Sequence, residues 1–533
     1  MSSSFDFSQW PPNLSNDELQ QLQLRATCYA LAHGLLYLPP GTQPAIPTSA
    51  IHAPISLFPA PFPRQLFEQA KRLQSIYNVL YARVALDTQF LDEVMGTETG
   101  VGKVDDFVGK LWTGWKDLRN QGLEQPLHLG LFRSDYLLHS ANKETTLKQV
   151  EFNTISSSFG PLSQRVSELH RHLYASTRYF DSSSFLTPAN FPANETTTGL
   201  AEGLAAAHKA YNVPGSRILF VVQPGERNVF DQLWLEYELI ERHQIAVIRL
   251  TLDELNSRAS VESVNAPLFI LPAPSSASSS SAASGFTTSS TSEPSSSRPI
   301  EISTIYFRST YTPTDFPTPA HFETRFTLEK SRAIICPSIP LQLAGGKKVQ
   351  EVLTREGVVE RFLGADYSKE AIHELKESWM GMWGLDVYPL PSSSSLSGND
   401  ESTSVFNNLV LKPQREGGGN NVYKSDIPPF LARLPEDEKP AWIVMEMIET
   451  PKDVGGYLVR SGGGDELVRA EVVSELGMFG WALFGEGVKA LDGNKGNVIE
   501  KEAGWLVRTK GKESNEGGVA TGFSVLDSVV LVD

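Results

Sequence analysis

Three consecutive glycines, Gly417 to Gly419, stand inside the stretch "LVLKPQREGGGNNVY", residues 409–423. Such a run loses too much chain entropy to sit inside a helix or a strand, so it has to be a loop. The apolar "LVLK" before it reads as a strand ending on Lys412. A strand delivers that ammonium to a fixed position, where it suits phosphate charge. The glycines let the backbone approach closely and turn successive N–H groups toward an anion. Glu416, at the edge of the run, is a hard oxygen donor of the kind magnesium takes when it bridges phosphates. Taken alone, the same residues also suit a mobile glycine turn.

This is not a Walker A loop. "GTETGVGKV", residues 96–104, has the wrong spacing to Gly102 and Lys103, and Val104 stands where a Ser or Thr is needed. It reads as a turn between helices. "QLAGGKKVQ", residues 342–350, lacks the hydroxyl as well. A P-loop nucleoside triphosphatase is therefore excluded.

Ser15 and Glu18 stand at capping-box spacing before a first helix. "PRQLFEQAKRLQSIYNVLYARVALDTQFLDEVM" continues helical periodicity through residue 95, with its Leu, Phe and Tyr residues as a core stripe. From residue 217 the short β-branched runs "RILFVVQ", "IAVIRL" and "ISTIYFRS", the first two separated by "FDQLWLEYELIERHQ", predict an α/β unit with parallel strands. From about residue 405, strands ("NLVLK", "AWIVMEMI", "LVRAEVVSELGMFGWALFG") alternate with glycine-rich connections, as in an antiparallel-rich α+β domain. Two serine-rich stretches, 274–298 and 391–404, hold too few apolar side chains to repay ordering. They are expected to be flexible surface insertions without chemistry. There is no internal repeat.

A chain of 533 residues suggests two to four domains. A net charge of -16 disfavours nucleic acid and anionic membranes as partners, and no apolar run reaches the roughly 20 residues that span a bilayer. Two cysteines, Cys28 and Cys336, exclude a disulfide scaffold and a cysteine-rich zinc site, and the ten histidines include no HExxH pair. With no secretory signal at the start of the sequence, a reduced, cytoplasmic setting is expected.

"VEFNTISSSFG", residues 150–160, places Glu151 and Asn153 two apart, on one face of a strand. A carboxylate and an amide oxygen there suit a magnesium shell shared with Glu416, phosphate and water. A solvent-facing strand edge is the alternative. "QPGERNVFDQ" and "YFRSTY" each follow a predicted strand, and ligands of open α/β units gather at the carboxyl ends of strands. That singles out Glu226, Arg227, Gln232, Arg308 and Tyr311.

Together these stretches resemble eukaryotic glutathione synthetases, a family of ATP-grasp ligases. The matching segments run in family order: "HAPISLFP", "LFRSDY", "VEFNTISSSFGPLSQR", "HRHL", "QPGERNVFDQ", "YFRSTY", "CPSIPLQLAGGKKVQ", "LVLKPQREGGGNNVY", "VMEMIE", "SELGMFG", and "LVRTK" with "EGGVATGFSVLDS". They extend from about residue 52 to 528. The resemblance implies that ATP phosphorylates the cysteinyl carboxylate of γ-glutamylcysteine to an acyl phosphate, which the amine of glycine then attacks, giving glutathione, ADP and phosphate. Phosphoryl transfer between anions needs positioning and charge neutralisation more than a nucleophilic side chain.

It also implies roles by position. Glu151, Asn153 and Glu416 would hold Mg2+ against the ATP phosphates. Lys347 and Lys412 would contact those phosphates under the Gly417, Gly418 and Gly419 loop, with Asn420, Asn421 and Tyr423 extending it toward the nucleotide. Met445, Glu446, Met447 and Ile448 would hold adenine, and Glu475, Lys510 and Glu516 would add nucleotide contacts, Glu475 at the ribose. The peptide would lie among Arg133, Ile155, Ser156, Ser157, Ser158, Glu226, Arg227, Asn228, Gln232, Arg308, Ser309, Thr310 and Tyr311. Arg508 would meet the glycine carboxylate, and Val519 and Ala520 would belong to a second loop closing over the substrates. Arg133, Lys412 and Arg508 are the expected catalytic residues.

The implied architecture is a multidomain α+β and α/β chain. It would be an ATP-grasp fold with a helical N-terminal region and an inserted parallel α/β substrate-binding domain. The expected divisions are 1–214, including the metal motif 150–160; 215–335; and 336–533, with a glycine-rich lid at 416–421 and a substrate loop at 516–522. The family also implies a homodimer. Departures from its pattern fall in "GGVATG", where Thr521 replaces a small apolar residue, at Glu516, and in the longer segment before "LVRTK". These lie where a different acceptor amine, such as β-alanine, would show. A catalytically silent protein on the same fold would have lost a metal carboxylate or a phosphate lysine, and Glu151, Glu416, Lys347 and Lys412 are all present.

Overall fold

Ser15 and Glu18 close the expected capping box: Ser15 N–H donates to Glu18 Oε2 at 2.8 Å, and Glu18 N–H donates to Ser15 Oγ at 3.4 Å. They start helix Asn16–Ala32 in the computed structural model of the chain. The structure describes residues 5–39, 47–141, 144–273, 298–387, 390, 405–461, 467–488, 497–514, 519 and 524–533. The serine-rich stretches 274–297 and 391–404, and residues 516–518 and 520–522 of the expected substrate loop, lie outside the described residues.

The helical periodicity over 64–95 divides in two. Helix Arg64–Leu86 ends at Asp87, whose side chain accepts from Phe90 N–H at 2.9 Å and so starts helix Thr88–Met95. An internal cap of this kind ends one helix and begins the next without a glycine or proline. Residues 96–105 make the turn read from the sequence, leading into helix Asp106–Asn120.

Among the described residues, thirteen strands join one mixed sheet. Its antiparallel part runs, side by side, through Glu144–Asn153, His128–Ala141, Leu467–Phe484, Val498–Gly511 and Ser524–Asp527. The parallel part holds Ile334–Cys336, Ile300–Phe307, Arg217–Val222 and Val247–Thr251. The parallel strands expected over 215–335 form, joined to the rest of the large sheet. Ile334–Cys336, buried along its length, pairs with Ile300–Phe307 and meets His128 through Ile335, so one sheet runs through both parts.

Alternation along the antiparallel strands divides apolar from polar chemistry. Phe132, Phe152, Leu476 and Met478 face the core that includes helix Arg64–Leu86, where Phe152 stacks on Tyr81 with ring centroids 3.9 Å apart. Each such buried side chain contributes about 1.5–3 kcal/mol. On the opposite face of the same strands, Leu131, Phe479 and Trp481 pack with helices Gly160–Thr177 and Thr196–Tyr211. Farther along that second face the strands carry Arg133, Glu475 and Arg508, which face a cleft.

A smaller antiparallel sheet of Met382–Gly384, Ile443–Glu446, Leu409–Lys412 and Val422–Tyr423 has its own core of Leu385, Phe406, Leu411, Ile427 and Val444. It is tied to the large sheet by Ser140 N–H donating to Glu449 O at 2.7 Å and by Lys412 Nζ donating to Val150 O at 2.8 Å. The cleft lies between the two sheets.

Candidate active site

Strand register brings charged residues from distant parts of the chain onto one face. Arg133 is opposite Asn153, Asp135 is opposite Glu151 on one side and Gly477 on the other, and Glu475 is opposite Arg508. Arg133 donates from Nε and Nη2 to the two oxygens of Asp135, at 2.6 and 2.8 Å. Asn153 Nδ2 donates to Asp135 Oδ2 at 2.9 Å and to Arg133 O at 3.1 Å. Arg508 Nη2 donates to Asp135 Oδ2 at 3.1 Å and to Glu475 Oε1. Both carboxylates hold the Arg508 guanidinium firmly protonated against the cost of its burial. Glu475, expected at a ribose, is therefore engaged by Arg508. Burial raises its pKa, with Arg508 opposing.

Lys347 is the first residue of helix Lys347–Leu353 and its ammonium lies between two carboxylates. Glu151 Oε2 is 3.1 Å away and Glu416 Oε1 is 3.0 Å away. Burial would raise Glu151, but Lys347 and Lys412 outweigh it and hold the group at about 2. Glu416 goes the other way: burial raises it and Lys347 only partly offsets this. Lys412, 5% exposed, is pushed down to about 8 by burial, with Glu151 the largest opposing influence. The next lysine, Lys348, turns away to Glu351 at 3.2 Å and Asp386 at 2.9 Å.

Gly417, Gly418 and Gly419 have φ of +93°, +75° and +75°. Three successive left-handed residues explain why the sequence needs glycine three times. Arg415, just before the run, is anchored to Asp105 at 2.5 Å, so the loop leaves a fixed point. Asn420 Nδ2 closes back on Gly418 O at 2.7 Å, and Asn421 Nδ2 donates to the Tyr423 hydroxyl at 3.0 Å. Glu416, the three glycines, Asn421 and Tyr423 line a cleft of about 480 Å3 together with Glu151, Asn153 and Lys412. Met445, Glu446, Met447 and Ile448 line it from the end of the small sheet, and Glu475 and Lys510 from the large one. Glu446 also accepts from Gly381 N–H at 3.0 Å, and Met447 N–H donates to Asn408 O at 2.7 Å.

The donor set fits magnesium. Glu151 and Glu416 already converge on one cation, the Lys347 ammonium. Asn153 spends its amide hydrogens on Arg133 and Asp135, which leaves its oxygen as the ligating atom. No three His, Cys, Asp or Glu groups cluster as a metal site among the described residues. Two carboxylates and an amide leave coordination positions for phosphate and water.

The surroundings of Ser156–Ser158 are built differently. Arg133, Ile155, Ser156, Ser157, Ser158, Tyr311, Arg508 and Val519 line the cleft, but Arg308 stands behind it. Arg308 is 2% exposed and donates to Ser157 O at 3.2 Å, the Tyr306 hydroxyl at 3.2 Å and Ser158 Oγ at 2.7 Å, with Asp231 at 3.7 Å. Asp231 also accepts from the N–H groups of Phe159 at 2.8 Å and Leu162 at 3.2 Å, and burial raises its pKa. Ser156 and Phe159 have φ of +50° and +72°, and Thr310 has +71°. Strained non-glycine backbone of this kind gathers at functional sites.

Glu226 accepts from Asn228 N–H at 2.8 Å. Arg227 turns to Leu38 O at 3.1 Å and lies over the Tyr37 ring. Gln232 is buried and accepts from Arg249 at 2.6 Å, and Ser309 Oγ donates to Val221 O at 3.3 Å. None of these four, nor Asn228 or Thr310, lines the cleft. Yet Ser157 Oγ, Asn228 Oδ1, Gln232 Nε2, Arg308 Nε and Thr310 Oγ1 are buried without a hydrogen-bond partner. Orphaned buried polar atoms clustered beside a cleft point to a polar ligand or ordered water. Glu516 and Ala520 lie outside the described residues.

Sequence reasoning missed Asp135 and the cleft-lining Lys424, Lys512 and Phe159. Only Asp135 left a signal: in "LFRSDY" an acid stands two residues from Arg133, hence on the same strand face.

The family model described as eukaryotic glutathione synthase, ATP binding domain, matches residues 16–531. The glutathione synthetase of Dictyostelium discoideum is 32% identical over 523 residues, covering 97% of this chain and 99% of its own. That of Homo sapiens is 34% identical over 514 residues, 96% of each chain. The chloroplastic glutathione synthetase of Solanum lycopersicum is 36% identical over 496 residues, 92% of this chain and 80% of its own. Among solved structures, a glutathione synthetase-like effector of Globodera pallida in apo form superimposes with a TM-score of 0.70 at 21% identity, covering 98% of both chains. At that identity the likeness concerns the fold.

Proposed function

The chain belongs to the eukaryotic glutathione synthase family and is an ATP-dependent ligase; on that footing we propose how its own residues join γ-glutamylcysteine to glycine. The observation that carries the assignment is the Lys347 ammonium held between Glu151 and Glu416 beneath three left-handed glycines. Opposed sheets with phosphate lysines and a glycine lid between them support an ATP-grasp arrangement. In it the lid at 416–421 belongs to the nucleotide-binding region 336–533, and 215–335 is the substrate-binding region.

The cysteinyl carboxylate attacks the γ-phosphorus, the bond to ADP breaks, and an acyl phosphate forms. The glycine amine then adds to that carbonyl carbon, its proton is lost, and phosphate leaves with both electrons of the C–O bond. Lys347 and Lys412 neutralise the phosphate oxygens as charge shifts toward ADP. Glu151, Asn153 and Glu416 would hold a magnesium ion, which when bound screens the phosphate charge from the incoming carboxylate. Arg133 keeps Nη1, engaged only by Ser158 O at 3.3 Å, for a substrate carboxylate. Arg508 keeps a buried Nε without a partner for the carboxylate of glycine. Ser156, Ser157 and Ser158, backed by Arg308, form the peptide shelf, with Glu226 for its α-amino group. Val519 marks the wall that keeps water from the acyl phosphate.

A homodimer belongs to the same proposal. Leu24 and Leu31, two turns apart on helix Asn16–Ala32, are 66% and 49% exposed and offer it an apolar stripe. Light scattering tests it. Among the described residues no helix is long and apolar enough to cross a membrane, and a cytoplasmic site of action is proposed.

Mass spectrometry of the products tests the acceptor. With ATP, magnesium, γ-glutamylcysteine and equal glycine and β-alanine, glutathione is expected to dominate. Dominance of the β-alanine product would replace glycine as the substrate.

A further inference from the structure

Asp135 does not line the cleft, yet three residues that do are fixed by it. It is fully buried, it accepts both Arg133 bonds, and it also accepts from Asn153 and Arg508. We propose that Asp135 is the positioning residue that aims Arg133 and Arg508 at the two carboxylate substrates from one shared counter-ion. This rests on the assignment of Arg133 to the peptide and Arg508 to glycine.

The geometry leaves each guanidinium little choice. Arg133 spends Nε and Nη2 on the two oxygens of Asp135, so its plane is set and Nη1 points past the pair toward the Ser158 carbonyl. A bidentate fork fixes direction as well as charge. Arg508 reaches the same carboxylate through Nη2, with Glu475 on that nitrogen too, which leaves its Nε unspent. If Asp135 were neutral, Arg133 would lose the carboxylate that holds its fork and Arg508 would keep the Glu475 pair without its second anchor.

A second observation points to the same pair. Gly477 sits opposite Asp135 on the neighbouring strand. A Cβ there would lie 2.9 Å from Arg133 Cδ and 2.9 Å from Asp135 Oδ1. A contact under 3.0 Å to both partners means any side chain would push the pair apart. The glycine leaves the room that the ion pair occupies.

Steady-state kinetics of the full chain with each substrate varied in turn test this. Asp135→Asn keeps the shape and removes the charge. It is expected to raise KM for γ-glutamylcysteine and for glycine at least tenfold each, with KM for ATP within twofold and an unchanged thermal midpoint. Gly477→Ala is expected to raise the same two KM values and spare ATP. Unchanged KM for both acceptors in Asp135→Asn would overturn the proposal. So would an equal rise in KM for ATP, which would mean general disorder of the sheet.

Where Asp135→Asn does not fold, Asp135→Asn with Arg508→Gln restores the charge balance. Its peptide KM is expected to exceed that of Arg508→Gln alone at least tenfold, through Arg133. Equality of the two would overturn the proposal. Arg133→Lys and Arg508→Lys test the underlying assignment separately. If they leave the peptide and glycine KM values unmoved, that assignment fails whatever Asp135→Asn shows.

Discussion

The two walls of the cleft are both dense in charge but hold it in opposite ways. On the wall proposed for the peptide, Arg308 and Asp231 are buried and bonded to the Ser156–Ser158 loop and to the N–H groups of Phe159 and Leu162. On the nucleotide side, Lys347, Glu151 and Glu416 line or border the open cleft, and their partners come from separate elements. Among the described residues Lys412 makes one hydrogen bond, to a carbonyl, and it is pushed down to about 8. The ion pair of the first wall is part of a buried scaffold that the fold requires. On the proposed assignment, the second is complete only when phosphates arrive and take over the cations. Removing a charge should therefore cost stability on one wall and catalysis on the other.

The largest effect is expected at Glu416. Glu416→Ala leaves Lys347 paired with Glu151, so the thermal midpoint should hold while ligation falls about 10³-fold, the scale for losing a preorganised electrostatic group. A coupled ADP-release assay checks it, and retained turnover would remove the metal assignment. On the other wall, Arg308→Ala leaves Asp231 buried without its cation and should cost about 3–5 kcal/mol in urea unfolding. The matched change, Lys412→Met, removes a cation that burial disfavours, so stability should stay level or rise while turnover is lost. If both substitutions destabilise alike, the contrast between the walls is wrong.

A smaller effect tests the hinge. Gly418→Ala places a side chain at φ +75°, a cost of about 1–2 kcal/mol for a left-handed residue. Because the loop lies at the cleft, this should appear as a several-fold rise in KM for ATP with little change in the unfolding midpoint. The smallest effect is a proton. In the free protein Lys412 is an ammonium below about pH 8 and an amine above it, while phosphates favour the ammonium. Nucleotide binding between about pH 8 and 9 should therefore take up a fraction of a proton. Calorimetry in buffers of different ionisation heat reads this, and Lys412→Met should abolish it. The sign for folding follows from the same shift. Between about pH 8 and the ordinary lysine value the unfolded chain binds more protons, so this group adds stability as pH rises through that window.

The nucleotide wall was far more legible in the sequence than the peptide wall. Glycines at three left-handed positions, a carboxylate and an amide two apart on a strand, and a lysine at a strand end each leave a local pattern. The capping box at Ser15 and the runs at 217–222 and 300–307 were legible for the same reason. What decides the peptide wall is register between strands far apart in the chain, and no short window contains it. "YFRSTY" shows an arginine after a strand but not that Arg308 turns inward to Asp231. "GGKKVQ" shows two lysines but not which one faces the carboxylates, since neighbours on a helix point about 100° apart. For Asp135 the sequence shows only the spacing from Arg133, because its other partners, Asn153 and Arg508, come from two other strands.

The claim that the cleft joins its substrates by first phosphorylating a peptide carboxylate can be tested with oxygen isotopes. γ-Glutamylcysteine labelled with 18O in its cysteinyl carboxylate is turned over with ATP and glycine, and the inorganic phosphate is analysed by mass spectrometry. One labelled oxygen in the phosphate for each glutathione formed is the predicted result. Unlabelled phosphate alongside glutathione formation would contradict the acyl phosphate, and with it the phosphate-handling roles of Lys347, Lys412 and Glu416.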